Sequence, residues 1–162
     1  MDTPPPPNLL ELAIQSARAG DAEALARALD RGVPVMSTTA RGDSLLLLAA
    51  YHGHAPCARL LLDRGADPDQ RDANGQAPLA GVAYKGLAEV ATMLMDAGAD
   101  IDAAGPDGRT PLMMAAAFNR AEMVRLLLAR GARRDARDAA GLDAASIARA
   151  MGAPDAEAIL RE

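Results

Sequence analysis

His52, His54 and Cys57 are where reactive chemistry would have to start, because the 162-residue chain holds two histidines and one cysteine. A metal site needs ligands that converge, and residues two apart do not share a helical face. The His52–His54 spacing, with Cys57 or a neighbouring carboxylate added, matches no zinc-ligand pattern. Cys57 begins a helical segment, a position that favours a thiolate, yet one cysteine near a histidine is weak evidence for a nucleophile. No Ser–His–Asp set can be assembled, and no glycine-rich phosphate loop with its lysine occurs. The expectation is a chain without catalysis, metal or cofactor.

Recognition is the chemistry the spacing does favour. Tyr51 and Tyr84 occupy one repeated position, and His52, Lys85 and Phe118 occupy the next. Aromatic side chains are common anchors in protein interfaces; packing against neighbouring helices is their competing role. Arg41, Asp43, Asn74, Gln76, Asp107 and Arg109 flank the starts of helical segments at equivalent places, and their types differ while the framework around them repeats. Variable polar chemistry on a regular scaffold suits a recognition surface, against the plainer alternative of a solvated rim. These eleven residues form the candidate protein-binding set.

The elements that must position them follow from a period. Gly42, Gly75, Gly108 and Gly141 lie 33 residues apart, as do Gly32, Gly65, Gly98 and Gly131. A third ladder runs Gly20, Gly53, Gly86, Asn119, Gly152, with asparagine, the residue best able to replace glycine in a left-handed conformation, at its one exception. Three ladders sharing one period predict a solenoid whose units bury their apolar faces on each other. First helices are expected over 8–18, 45–52, 78–85, 111–118 and 144–151, and second helices over 21–31, 55–64, 88–97, 121–130 and 154–161. Pro78, Pro111 and Pro154 stand at helix starts, where a missing N–H costs nothing, and Pro56 fits a first turn.

Asp107-Gly108-Arg109-Thr110-Pro111-Leu112, followed by Ala115-Ala116, Glu122-Met123-Val124 and Leu126 to Ala132, resembles an ankyrin repeat. Asn74 to Leu79 through Gly98-Ala99-Asp100 resembles a second, and Arg41 to Leu46 through Gly65-Ala66-Asp67 a third. The flanks resemble degenerate terminal repeats. The resemblance implies an all-α solenoid of about five helix pairs, with three well-formed internal repeats between two caps. It divides 8–162, as one domain, into repeats 8–40, 41–73, 74–106, 107–139 and 140–162. It also implies that the ends of the first helices line a concave groove beside the loops. The chain departs from the family pattern where histidine usually follows Thr-Pro-Leu: Leu47, Ala80 and Met113 stand there, and only Thr110 keeps the threonine, against Ser44, Ala77 and Asp143. Hydrogen bonds near the loops are lost with those residues.

Composition agrees with helices and narrows the partner. The apolar half of the chain is mostly Ala, Leu and Met, with three aromatics and no Trp. A net charge of −5 opposes a polyanionic partner, so no nucleic acid is expected, although Arg120, Arg125, Arg130, Arg133, Arg134 and Arg137 form a candidate basic edge for an acidic partner. No apolar run is long enough for a membrane span, no secretory leader opens the chain, and no cysteine framework marks an extracellular fold, so the cytoplasm is the expected compartment. Heavy use of Ala, Arg and Asp points to a bacterial source. Residues 1–7, with Pro4 to Pro7, read as a disordered spacer. Both ends mix apolar and charged residues as caps do, which favours a monomer that binds another protein as an adaptor or regulator. The alternative is a structural module that forms homo-oligomers by stacking end repeats.

Overall fold

A computed structural model describes residues 8–162, so the expectation for the tail at 1–7 lies outside the described residues. Five helix pairs follow one another: α1 (Leu9–Ala19) and α2 (Ala22–Asp30), α3 (Leu45–Tyr51) and α4 (Ala55–Asp63), α5 (Pro78–Lys85) and α6 (Ala88–Asp96), α7 (Pro111–Ala117) and α8 (Ala121–Ala129), and α9 (Ala144–Ala150) and α10 (Pro154–Leu160). Each begins and ends within one or two residues of its expected bounds. Among the described residues the other regular feature is one isolated bridge, Thr38–Ser44.

The pattern of small and large apolar residues explains the two layers. The first helices α1, α3, α5, α7 and α9 contact one another in order, and so do the second helices. Ala17, Ala50, Ala83 and Ala116 recur at the period and are fully buried, which lets the first helices approach closely. In the outer layer Leu61, Leu94 and Leu127 are fully buried at one repeated position. Burial of each such leucine stabilises the stack by about 2 kcal/mol. Neither layer could hide its apolar face alone, which is why the units depend on their neighbours.

Helix ends are set by side chains and by left-handed residues. Ser44, Thr110 and Asp143 cap α3, α7 and α9, accepting the backbone N–H of Leu47 (2.9 Å), Met113 (3.3 Å) and Ser146 (2.9 Å). Ala77, at the same position before α5, has no such bond. Asn119 ends α7's turn at φ 55, beside Gly53 at 74 and Gly86 at 75, so the exception in the glycine ladder keeps the ladder's backbone. Met113 partly replaces a missing polar residue: its Sδ accepts the N–H of Thr110 at 3.5 Å.

Candidate recognition surface

Between each outer helix and the next inner helix the chain forms a tight hairpin closed by one backbone bond: Thr39 N–H to Asp43 O, Asp72 to Gln76, Gly105 to Arg109 and Asp138 to Leu142, at 2.9–3.0 Å. A side-chain acceptor fixes the tips. Asp72 Oδ1 accepts the N–H groups of Asn74 and Gln76, both at 2.9 Å, and Thr39 Oγ1 accepts those of Arg41 and Asp43, both at 3.2 Å. The backbones of Arg41, Asp43, Asn74 and Gln76 are therefore held, while among the described residues their side chains make no hydrogen bond or ion pair.

Seven of the candidate residues come together. Arg41, Asp43, Tyr51, His52, Asn74, Gln76 and Tyr84 line a depression of about 610 Å3 on the concave side, with Leu47, Leu48 and Met114 as apolar walls and Arg18 and Asp72 completing its rim. Its floor is Ala77, Ala80 and Gly81. Tyr51, 39% exposed, lies against Gly81, where a Cβ would stand 3.1 Å from the Tyr51 Cδ2.

Reading by type and period missed the floor, Arg18 and Asp72. A signal for the floor was present, because of the 14 glycines only Gly81 and Gly105 stand outside the three ladders. Each makes room for a groove-lining side chain: Gly81 for Tyr51, and Gly105 for Gln76, whose Nε2 lies 2.5 Å from where a Cβ would be.

The other four candidates lie outside the depression. Phe118 is 41% exposed and meets Tyr84 edge to face, ring centres 4.4 Å apart, extending the aromatic stripe toward the C-terminal units. Asp107 and Arg109 are occupied within the chain, Asp107 Oδ1 accepting the Arg109 N–H at 3.1 Å while Arg109 Nε lies 3.7 Å from the Asp138 carboxylate of the next hairpin. Lys85 donates to the carbonyl oxygen of Tyr51 at 2.8 Å.

That last bond belongs to a set. His54 Nε2 donates to Arg18 O at 2.9 Å and Arg120 Nε to Tyr84 O at 2.9 Å, so three different cations or donors satisfy the last carbonyls of α1, α3 and α5 from the following unit. On the opposite edge Asp69 accepts the N–H of Asp100 at 3.0 Å, and Asp102 that of Arg133 at 3.0 Å, so the repeated aspartates tie units together besides shaping turns. The basic edge expected late in the chain is spent internally: Arg120 on Tyr84, Arg125 on Glu122, Arg130 on Asp96, Arg133 beside Asp135, Arg134 on Leu160 O and Arg137 on Gly141 O.

Electrostatics favour the neutral forms of His52 and Cys57. Burial, then the charge of Lys85, His54 and Arg18, lowers the pKa of His52 below its ordinary value. The Cys57 thiol is fully buried, and burial followed by the Asp21 charge raises its pKa, which overrides the thiolate-favouring effect expected of a helix start. Cys57 shares its repeat position with buried Ala24, Val90, Met123 and Ala156 and acts as a small core residue. Among the described residues no group of three or more His, Cys, Asp or Glu could hold a metal, and no helix is long and apolar enough to cross a membrane.

A family model described as ankyrin repeats in three copies matches residues 10–105, 65–138 and 81–160. Among curated proteins, an ankyrin repeat protein of Pseudomonas aeruginosa is 51% identical over 43 residues. That segment is 26% of this chain and spans only 25% of the relative's length.

Proposed function

The chain belongs to the ankyrin repeat family, and from that premise we propose that it is a non-enzymatic adaptor or regulator that grips a protein partner across its concave groove and hairpin tips. Ankyrin repeats are generally protein-binding modules. The observation that carries the more specific reading is the convergence of Arg41, Asp43, Asn74 and Gln76, their backbones fixed and their side chains unspent, on one depression walled by Tyr51 and Tyr84. A rigid backbone beneath free polar groups reduces the ordering cost of binding. Residues 8–162 act as one domain and as a monomer in this reading. Its setting is the cytoplasm, where a single reduced thiol such as Cys57 is ordinary.

A second reading, assembly of copies through end repeats, is supported by Leu10 and Leu12 on α1, 38% and 43% exposed. One experiment separates the two. A photo-crosslinking amino acid placed at Asn74 in the groove, at Thr92 on the outer face, or at Leu12 on the first helix is activated in source-cell lysate, and the products are identified by mass spectrometry. Capture of one partner polypeptide from Asn74 and not from Thr92 supports the groove. Equal capture from Thr92 overturns it, and self-crosslinks from Leu12 alone favour assembly.

A further inference from the structure

The third unit departs from the second, fourth and fifth at two of the three positions that floor the depression. Where those units cap the first helix with Ser44, Thr110 or Asp143, this one has Ala77 and no cap bond. Where they carry Leu48, Met114 and Ile147, it has Gly81, a glycine inside a helix. Leu47 and Met113 have Ala80 as their counterpart, a position where the fifth unit also has a small residue, Ser146. A lost cap and a helix-interior glycine each destabilise a helix. Local choices that act against the fold, gathered in one place, are expected where a function requires them. Here their joint effect is to remove side-chain volume from the middle of the concave face: the Tyr51 ring leans into the room at Gly81, and beside it remains a space of about 610 Å3, within the size range of ligand pockets.

The charges around this space are placed unequally. On the loop side Asp43 and Asp72 accompany Arg41, and one Asp72 oxygen already accepts two backbone N–H groups. On the side formed by the helix ends Arg18 is a rim residue, and Lys85 and His54 stand close enough to affect His52 along with it. His54 and Lys85 use their donors on helix carbonyls, whereas the Arg18 guanidinium has no partner among the described residues. Arg18 therefore brings to the helix-end side of the space one guanidinium without a partner among the described residues, in a chain whose net charge is −5.

We propose that the floor of Ala77, Ala80 and Gly81 is a built socket for one large apolar side chain of an extended partner segment that also carries an acidic residue beside it, directed at Arg18. The apolar anchor lies between Tyr51 and Tyr84 over Gly81. Asn74 and Gln76 present amides that can both donate to and accept from the backbone of an extended segment. The carboxylate forms a charge-assisted bond with the guanidinium at the rim. This inference rests on the proposed use of the concave face and adds the chemistry that face selects.

A display library of random twelve-residue peptides panned on the full chain tests it, followed by fluorescence anisotropy on an enriched peptide. The expected consensus pairs Leu, Ile, Met or Phe with Asp or Glu within three positions. Gly81→Leu restores the bulk found in the other units and is expected to weaken the peptide at least about tenfold, and Arg18→Glu by about tenfold with a smaller effect at high salt. Ala80→Met, which copies Met113, is the second filling variant should Tyr51 fail to move aside for the leucine. Peptides lacking the apolar–acidic pair, or full binding by both filling variants while folded by circular dichroism, overturn the socket. In that case loss of the same peptides with Tyr51→Ala and Tyr84→Ala leaves the groove reading standing, and indifference to these as well removes both.

Discussion

Lys85 Nζ donates to the carbonyl oxygen of Tyr51 at 2.8 Å and sits 4.4 Å from the centre of the Tyr51 ring, so one ammonium joins two consecutive units by two contacts. Lys85→Met keeps most of the aliphatic stem and removes both interactions. The expected cost is about 1 kcal/mol in urea unfolding, the usual net worth of such a bond. An unchanged midpoint would show that the contact contributes nothing in solution. Lys85, a candidate binding residue by type and position, thus also ties two consecutive units together.

Asn119 offers a test that separates backbone from side chain. Its φ is 55, its Nδ2 donates to Asp155 at 3.1 Å, and its Oδ1 accepts the N–H of Ala156 at 3.0 Å. Asn119→Gly keeps the left-handed conformation and loses the bridge to α10, which predicts a loss of about 1 kcal/mol. Asn119→Ala loses the bridge and adds left-handed strain of roughly 1–2 kcal/mol, so it should be the worse of the two. Equal destabilisation by both would mean that the backbone conformation is not the constraint.

The spacing of glycine, proline and leucine made the helices legible because a period records what every unit must do. What was not legible is what one unit does alone. Gly81 looks like any other glycine until the ladders have claimed the rest, and Arg18 belongs to a terminal unit where no period points to it. In the Arg120 to Arg137 group, proximity in sequence suggests a common basic edge, and the repeat geometry gives each arginine its own acceptor or carboxylate within the chain, which the sequence did not show.

His52 gives the groove a pH signature. Its pKa is lowered in the folded chain, so as pH falls the unfolded chain takes up the proton first. The stability it contributes is fully present above the ordinary histidine pKa of about 6.5 and is lost as pH falls through that value and then through the lower folded one. Replacing His52 with Gln should flatten the pH dependence of unfolding free energy between about pH 7.5 and about pH 5 relative to the unaltered chain. Parallel curves for the two proteins would mean that neither burial nor the neighbouring charges act on the imidazole.

Cys57 should be inert in the folded state. It has no exposed surface, its pKa is raised, and its Sγ lies 4.0 Å from the Ser16 carbonyl oxygen. A disulfide reagent such as dithionitrobenzoate is expected to label it only in urea, with the labelling midpoint coinciding with unfolding. Rapid labelling without denaturant would reveal local opening of α4 away from α1.

Ala77 sets a prediction in the opposite direction, toward greater stability. Its backbone, φ −82 and ψ 154, nearly matches that of Ser44, φ −73 and ψ 159, and both residues are about 2% exposed. A serine hydroxyl at 77 would therefore meet the N–H of Ala80 as the Ser44 hydroxyl meets that of Leu47 at 2.9 Å. Because the Ala80 N–H otherwise makes only a tight bond to the carbonyl oxygen three residues back, Ala77 O at 3.1 Å, Ala77→Ser is expected to add roughly 0.5–1 kcal/mol in denaturant unfolding. A stabilised variant that binds the selected peptide less well would place the missing cap among the socket's requirements; destabilisation would mean that the buried hydroxyl fails to reach its donor.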